Sequence, residues 1–171
     1  MRLRAADQTR RFTDLVMGER NFAVDDFVVQ RNDGTPAYHL VVVVDDAAQA
    51  VDLVVRADDL LESTARHLLL YELLELQAPD HAHVPLVLAP NGDRLAKRHG
   101  SVNLDDRAAA GETPDQVLAH LAVTLGLCTE TERLAGTIDG QPLDAAALIS
   151  RFRYDALPTE PLYLPEVYLA P

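Results

Sequence analysis

Long apolar runs are absent from the sequence, which excludes a helix that spans a membrane. The longest apolar stretches, residues 40–44 and 84–89, fall far short of the roughly 20 residues that such a helix needs. No apolar stretch follows the arginines of residues 1–11, so the N-terminus lacks the layout of a secretory signal. We therefore expect a cytoplasmic protein without a membrane partner.

Cysteine and lysine are each present only once. Cys128 can form neither an internal disulfide nor a zinc site of several thiolates, and we expect it to be buried. Lys97 is the only lysine among 15 basic residues, and the others are arginine. A lysine retained in such a composition suggests that a compact ammonium is needed there, although chance would also leave one somewhere.

Positive charge is scarce as well, since the formal net charge is -12. Nonspecific binding to nucleic acid needs clustered Lys and Arg that neutralise phosphates, so any contact with RNA must be local. The basic residues do cluster in two places, at Arg2, Arg4, Arg10 and Arg11 and then at Arg94, Lys97, Arg98 and His99. We interpret the first cluster as a solvated face.

What the sequence contains is an ordinary globular balance, with 48% apolar and 25% charged residues. Residues 51–56 are typical of a strand, residues 63–76 of a helix and residues 83–89 of a second, nearly all-apolar strand. This order predicts a βαβ unit with a parallel sheet, whose ligands gather beyond the carboxyl ends of the strands. Arg56 and the loop after residue 89 would lie at two such ends.

Capping signals predict the helices. Ser63 or Thr64 is available as the cap of the helix at residues 63–76. Residues 113–116 combine a capping box with a proline at the first helical position, and Gly126 ends that helix. Asp144 caps a last short helix. The apolar residues expected to face the core of these last two helices are Val117, Leu118, Leu121, Ala122, Leu125, Leu148, Ile149 and Phe152.

Two segments before the βαβ unit are less regular. Residues 26–31 are typical of a strand that enters a tight turn at the Asp-Gly of residues 33–34. Residues 40–44 contain four valines, which favours a buried strand, but periodicity does not separate a short buried strand from a buried helix. The pattern alone leaves that segment open.

Four segments in order, at residues 12–19, 34–46, 54–64 and 83–88 with 92–100, resemble segments of the glutamyl-tRNA synthetase family of class I synthetases. Residues 12–19 (FTDLVMGE) look like the segment that leads into the second half of its catalytic domain. Residues 34–46 (GTPAYHLVVVVDD) and 54–64 (VVRADDLLEST) resemble its glutamate-recognition region. Residues 83–88 followed by 92–100 (GDRLAKRHG) look like the second ATP signature, ideally Lys-Met-Ser-Lys-Ser. The resemblance covers about residues 2–127 and implies a helix at residues 38–46.

The resemblance implies specific roles. Tyr38 would form a hydrogen-bonding wall of the glutamate pocket, and Arg56 would bind the glutamate carboxylate, which suits a guanidinium fork. Lys97, with Arg94 and Leu95 beside it, would hold ATP and follow the charge on the separating phosphates. Without the resemblance, the pattern favours structural roles: Tyr38 as a core residue, Arg56 as a partner of the adjacent carboxylates Asp58 or Asp59, and Lys97 as a solvated side chain.

The sequence departs from the family pattern at single positions. Arg94 replaces the first lysine of the ATP signature and Ala96 its serine. Ala57 stands for a usual glycine and Ala65 for a usual proline. His81 and His83 form a His-X-His pair, which we interpret as structural because no cysteine or further ligand is near. We therefore expect no metal site, including no zinc, in this chain. The resemblance implies ATP with Mg²⁺ as the cofactor.

The family's first nucleotide signature, His-Ile-Gly-His, has no match in the sequence. The resemblance therefore implies an α/β fold, the second half of a class I synthetase Rossmann-like nucleotide-binding domain, followed by a small helical region. We expect residues 1–108 to form that half-domain, with the ATP loop at 92–100. Residues 109–156 would form a helical extension and residues 157–171 an extended Pro-rich tail.

Two functions follow as alternatives. The first is ATP-dependent activation of glutamate and its transfer to tRNA, in a truncated or split form that needs a separate N-terminal half and is inactive alone. The short chain favours the paralogues without an anticodon domain, the glutamyl-queuosine tRNA(Asp) synthetases. The second is a non-catalytic module that binds protein or tRNA. A half-domain of a parallel sheet should leave an open strand edge and an apolar patch, which predicts association with the other half or with itself.

Overall fold

The computed structural model describes residues 1–6, 8–94 and 103–163. The chain divides into two compact units, residues 1–84 and residues 85–171. The first unit contains strands β1 to β6 and two helices, and the second contains short strands and four helices. The boundaries at 108 and 156 remain predictions from the sequence.

Four short strands begin the first unit. β1 (Arg2–Leu3) pairs antiparallel with β4 (Phe27–Val28). β2 (Thr9–Asp14) and β3 (Gly18–Ala23) form an antiparallel hairpin. Gly18, where the hairpin turn ends, has a φ of 73°, a conformation that favours glycine. The strand predicted at residues 26–31 is shorter than expected, since β4 contains only two residues. Gln30 bridges to Pro36 across the predicted turn.

The valine-rich segment forms a helix, α1 (Tyr38–Ala48), as the resemblance implies and against the preference of valine for strands. Val43 is fully buried in it, whereas Val41 and Val44 are 38% and 44% exposed. Four consecutive residues make about one turn of helix, so the four valines point in all directions around the axis, and only some of them face the core.

The predicted βαβ unit is confirmed. β5 (Leu53–Ala57) runs parallel to β6 (Asp80–Val84), and α2 (Ser63–Leu73) connects them. The expected side-chain cap of α2 was wrong: Glu62 stands at the N-cap position, and no side chain caps the helix. Thr64 instead lies inside the helix, and its hydroxyl accepts a hydrogen bond from Arg56.

The second apolar strand, predicted at residues 83–89, is divided. β6 ends at Val84, and β7 (Val87–Leu88) is a separate strand of the second unit. Pro85 lies at the break, because a proline has no N–H to continue the ladder. Arg56 lies near the carboxyl end of β5, and the loop after Ala89 follows β7.

The core of the first unit lies between α1, α2 and the strands. It includes Val24, Phe27, Val43, Leu69 and Leu70, all at most 5% exposed. β5 is less covered, since Val55 is 56% exposed. Among the described residues, β5 pairs as a strand with β6 alone. A parallel sheet of two strands with one open side is unusual, because parallel sheets are normally covered.

The second unit is built from short elements. The helices are α3 (Leu104–Ala109), α4 (Pro114–Thr124), α5 (Glu130–Ala135) and α6 (Ala145–Arg151), and the strands after β7 are β8 (Thr137–Ile138), β9 (Gln141–Pro142) and β10 (Leu162–Tyr163). The predicted capping box of Thr113 and Gln116 and the Asp144 cap are confirmed. β10, in the predicted tail, pairs parallel with β7.

The core of the second unit contains small and apolar side chains, including Ala119, Ala122, Cys128 and Leu148. The predicted burial of Cys128 is confirmed. The predicted helix faces were partly wrong, because Leu121 is 55% and Ile149 73% exposed. The buried residues of α4 are Ala119 and Ala122. No described helix is long and apolar enough to cross a membrane.

Candidate carboxylate-binding site around Arg56

The side chain of Arg56 is the centre of a polar network inside the first unit. Its Nε donates to Nε2 of His83 at 2.9 Å, and its Nη1 lies 3.3 Å from Nδ1 of His67. Its Nη2 donates to the Leu60 carbonyl at 3.1 Å and to the Thr64 hydroxyl at 2.8 Å. None of these four partners carries a negative charge, so the network orients the guanidinium without neutralising it.

The chain geometry brings these partners together. Arg56 and His83 are direct neighbours across the parallel strands β5 and β6. A 3-10 turn at Asp58–Leu60 returns the chain toward the end of β5, which places the Leu60 carbonyl beside the guanidinium. The first turn of α2 then supplies Thr64, and the next turn supplies His67.

Asp14 continues the network on the far side of His83. Its Oδ2 lies 2.6 Å from Nδ1 of His83, and both side chains are fully buried. Its Oδ1 accepts hydrogen bonds from the backbone N–H groups of Val16, Met17 and His83 at 2.9–3.1 Å. Burial acts to raise the pKa of the Asp14 carboxyl, but the hydrogen bonds from His83 and from the backbone outweigh it and lower the pKa.

The histidines of the site are neutral at pH 7. Burial, with the positive charge of Arg56, lowers the pKa of His67 to about 3 and that of His81 to about 4. Burial also lowers the pKa of His39 and of His83, although the hydrogen bond with Asp14 opposes the shift of His83. A neutral imidazole can accept a hydrogen bond, which is what Arg56 requires.

A second chain of contacts leads from Arg56 to the surface. Nε2 of His67 lies 3.0 Å from Nδ1 of His39, and the two rings are 5.2 Å apart. The ring of Tyr38 makes edge contacts with both, at 5.5 Å from His39 and 6.1 Å from His67. Tyr38 is 48% exposed, so it is not a core residue.

Arg56 keeps its charge in this setting. Burial lowers its pKa from the ordinary value, but Tyr38 and the carboxylates of Asp46 and Asp59 act in the opposite direction. An arginine pKa lies so high that the group remains protonated. A partly buried cation with neutral hydrogen-bond partners is suited to bind an anion. Four of its five N–H groups point to these partners, so the anion would be bound by the charge and by one further N–H of Nη1.

The structure thus brings two of the predicted site residues, Tyr38 and Arg56, into one network. Arg94 belongs to the second unit, where it bridges to Leu88. Leu95 and Lys97 lie outside the described residues, and their roles stay predictions.

The sequence interpretation missed Asp14, His39, Thr64 and His67, and it treated His83 as merely structural. Only the His-X-His pair was a visible signal, since it marked polar side chains in an otherwise apolar strand. Within the described part of the chain, no group of three or more His, Cys, Asp or Glu is arranged to hold a metal ion.

Comparison with known proteins agrees with the resemblance. Residues 1–139 match the family described as class I tRNA synthetases (E and Q), catalytic domain. A glutamyl-Q tRNA(Asp) synthetase of Nocardia farcinica is 55% identical over 127 residues, which are 74% of this chain and 41% of the relative. Another of Symbiobacterium thermophilum is 42% identical over 173 residues, covering 99% of this chain and 51% of the relative. The chain therefore spans about half the length of the curated relatives it matches.

A solved structure shares the fold. The crystal structure of a glutamate tRNA ligase from Elizabethkingia meningosepticum, in complex with its amino acid, superposes with a TM-score of 0.75 at 22% identity. The match covers 95% of this chain and 35% of that protein. The α/β fold predicted from the sequence is the fold of this structure.

Proposed function

Because this chain belongs to the class I tRNA synthetase family for E and Q, we propose that it takes part in ATP-dependent activation of glutamate and its transfer to tRNA. Its similarity to glutamyl-Q tRNA(Asp) synthetases supports the queuosine-modifying branch. The observation that carries the proposal is the oriented guanidinium of Arg56, which hydrogen-bonds to neutral partners and lies beside an exposed tyrosine.

In this proposal Arg56 binds a carboxylate of glutamate and Tyr38 forms a wall of the same pocket. A charge-assisted hydrogen bond contributes about 1.5–3 kcal/mol, more than a neutral one, so a single arginine decides much of the affinity for an anionic side chain. The rigid attachment of Arg56 to β6 and α2 leaves little side-chain entropy to lose on binding, which favours selection of a ligand of fixed length.

Lys97, Arg94 and Leu95 would hold ATP in the loop at residues 92–100. The glutamate carboxylate would attack the α-phosphate of ATP and displace pyrophosphate, while the protein positions the two reactants and neutralises charge on the phosphates. ATP would bring its own Mg²⁺. Lys97 would follow the charge as a mobile ammonium.

The open side of β5 is where a further part of the nucleotide fold would pair. Among the described residues, β5 pairs with β6 alone, and the two glutamyl-Q tRNA(Asp) synthetases compared above are about twice as long as this chain. We propose that a further segment or a separate N-terminal half covers this edge, because an exposed parallel edge is otherwise prone to self-association. The same span of only about half of the relatives favours, as the second candidate, a non-catalytic module that binds protein or tRNA.

The test is calorimetric binding of ATP and of a glutamyl-adenylate analogue, first to this chain and then with a supplied N-terminal half. Arg56→Ala and Lys97→Ala are compared with the wild type, and Arg153→Ala, an exposed arginine paired with Asp155, is the matched control. Binding that needs the added half and is lost in the first two variants but not in the control supports the synthetase. Absence of binding in every combination leaves the binding module.

A further inference from the structure

The buried carboxylate of Asp14 has a position that the proposed reaction does not use. It is the last residue of β2, just before the hairpin turn, and is 1% exposed, and it reaches Arg56 through His83. We propose that Asp14 is a positioning residue: it fixes the tautomer of His83, and His83 in turn holds the Arg56 guanidinium in the orientation that receives a carboxylate.

The hydrogen bonds assign the tautomer. A carboxylate can only accept, so Nδ1 of His83 must carry the proton in the 2.6 Å contact with Asp14. Nε2 of the neutral ring is then left as an acceptor, and Nε of Arg56 donates to it at 2.9 Å. With the opposite tautomer, two N–H groups would face each other and this contact would be lost. Carboxylate–histidine pairs orient metal-bound histidines by the same logic.

The same reasoning applies on the other side of the guanidinium. Nδ1 of His67 accepts from Arg56, so Nε2 of His67 carries the proton and donates to Nδ1 of His39. Arg56 is thus held from two directions by imidazoles with opposite tautomers, His83 protonated on Nδ1 and His67 on Nε2. Only the His83 tautomer is determined by a buried negative charge, which makes Asp14 the origin of the arrangement.

Stability alone does not explain such a network of buried hydrogen bonds. Burying a carboxylate and polar rings costs free energy that well-packed apolar side chains would not. The network does not end in the core but at Arg56 and Tyr38, and Tyr38 is 48% exposed. An arrangement that extends from a buried charge to an accessible cation is expected where the orientation of the cation matters for a ligand.

The primary test uses Asp14→Asn. The new amide keeps Oδ1 and its three backbone hydrogen bonds, but it places an N–H₂ donor opposite Nδ1 of His83. We expect the proton to move to Nε2, which ¹⁵N NMR of the ring nitrogens reports directly, and the Nε–H of Arg56 to lose its protection from hydrogen exchange. An unchanged His83 tautomer and unchanged Arg56 exchange in a folded Asp14→Asn protein would overturn the proposal.

Two variants of His83 separate positioning from mere packing and do not depend on how Asp14→Asn folds. His83→Gln can present an oxygen acceptor near the place of Nε2, and His83→Asn can present only a donor to Asp14. We expect Arg56 Nε–H protection to survive in His83→Gln and to be lost in His83→Asn. Equal protection in both variants contradicts the proposal.

The consequence for affinity rests on the proposed function. In the complemented protein, Asp14→Asn and His83→Asn should weaken binding of the glutamyl-adenylate analogue by roughly 10- to 100-fold, as expected for one misdirected charged hydrogen bond. ATP binding should change little. If the complemented wild type binds no analogue, while the His83 tautomer and the Arg56 exchange change in the variants as described, the glutamate site is refuted. The positioning role of Asp14 then stands.

Discussion

The two units of the chain bury different kinds of side chains. In the described residues, all the buried polar or charged side chains belong to the first unit: Asp14, Thr64, His67, His81 and His83. The core of the second unit contains alanine, leucine, isoleucine and cysteine. Its charged residues instead form pairs nearer the surface, such as Arg151 with Glu132 and Asp139.

This contrast separates a core built for stability from a core that carries chemistry. Surface ion pairs contribute little, about 0–1 kcal/mol, and apolar burial suffices to hold a small helical unit together. The buried network of the first unit costs desolvation and therefore indicates a second requirement, the orientation of Arg56. The predictions below test whether the two units differ in this way.

The largest effect is expected for Asp14→Ala in the first unit. Truncation leaves three backbone N–H groups and the Nδ1 of His83 without a partner in the core, and we expect a loss of about 3–5 kcal/mol in the free energy of unfolding. Urea unfolding followed by NMR signals of α2 measures it. Asp155→Ala, which removes an exposed carboxylate paired with Arg153, is the control and should change nothing measurable. Similar losses in both variants would erase the contrast.

The stability of the first unit should also fall as the pH is lowered from 7 to 5. His67 and His81 have folded-state pKa values of about 3 and 4, below the ordinary 6.5, so the unfolded chain binds more protons in this window. The stabilisation is complete above pH 6.5 and declines by up to about 1.4 kcal/mol per pH unit and histidine.

Urea unfolding at each pH, followed by NMR signals of α2 and α4, compares the two units. Burial also lowers the pKa of His120 in α4, but this is one partly buried histidine against the two strongly shifted histidines of the first unit, so α4 should be less affected in this range. His67→Gln should reduce the pH dependence in α2. A steeper decline in α4 than in α2 would contradict the difference between the units.

In the second unit, truncation of a buried apolar side chain should cause the largest loss of stability. Leu148 is 6% exposed in its core, and Leu148→Ala should cost about 2 kcal/mol or more through lost burial and a cavity. The neighbouring Ile149 is 73% exposed, so Ile149→Ala is a matched control with a small expected change. Thermal unfolding of the two variants gives the comparison, and equal costs would refute the assigned core.

The smallest effect concerns helix caps. Thr113→Ala removes both halves of a capping box at α4 and should cost about 1 kcal/mol. Ser63→Ala, at the start of α2, should cost little, because no side chain caps that helix. Denaturant midpoints of the two variants measure the difference. A larger loss of stability for Ser63→Ala than for Thr113→Ala would indicate that Ser63 caps α2, as expected from the sequence.

Local signals predicted much of the fold. The capping box at Thr113 and the Asp144 cap depend on residues three positions apart, so they can be seen in the sequence. The βαβ order of β5, α2 and β6 also follows from hydrophobic periodicity and was confirmed. The valine-rich helix α1 was ambiguous because valine favours strands, and only the resemblance indicated the correct structure.

Contacts between distant residues were beyond this reasoning. Asp14 and His83 are separated by 69 positions, and nothing local distinguishes Asp14 from the other acidic residues. The division of residues 83–89 was missed because an apolar run continues through Pro85, and the proline was not treated as a break. Leu121 and Ile149 were assigned to the core because periodicity defines a face but not the width that neighbouring elements cover.

The amino-acid sequence alone was sufficient for the class of fold, the family resemblance and the choice of Tyr38 and Arg56 as candidate ligands of glutamate. The fold class depends on residue types and short spacings, whereas Tyr38 and Arg56 were chosen because the family resemblance implies their roles. The tertiary structure decided how the guanidinium is held, because the tautomers of His83 and His67 depend on partners that only folding brings within hydrogen-bond distance. A buried charge acts over a few ångströms in space, regardless of its distance along the chain.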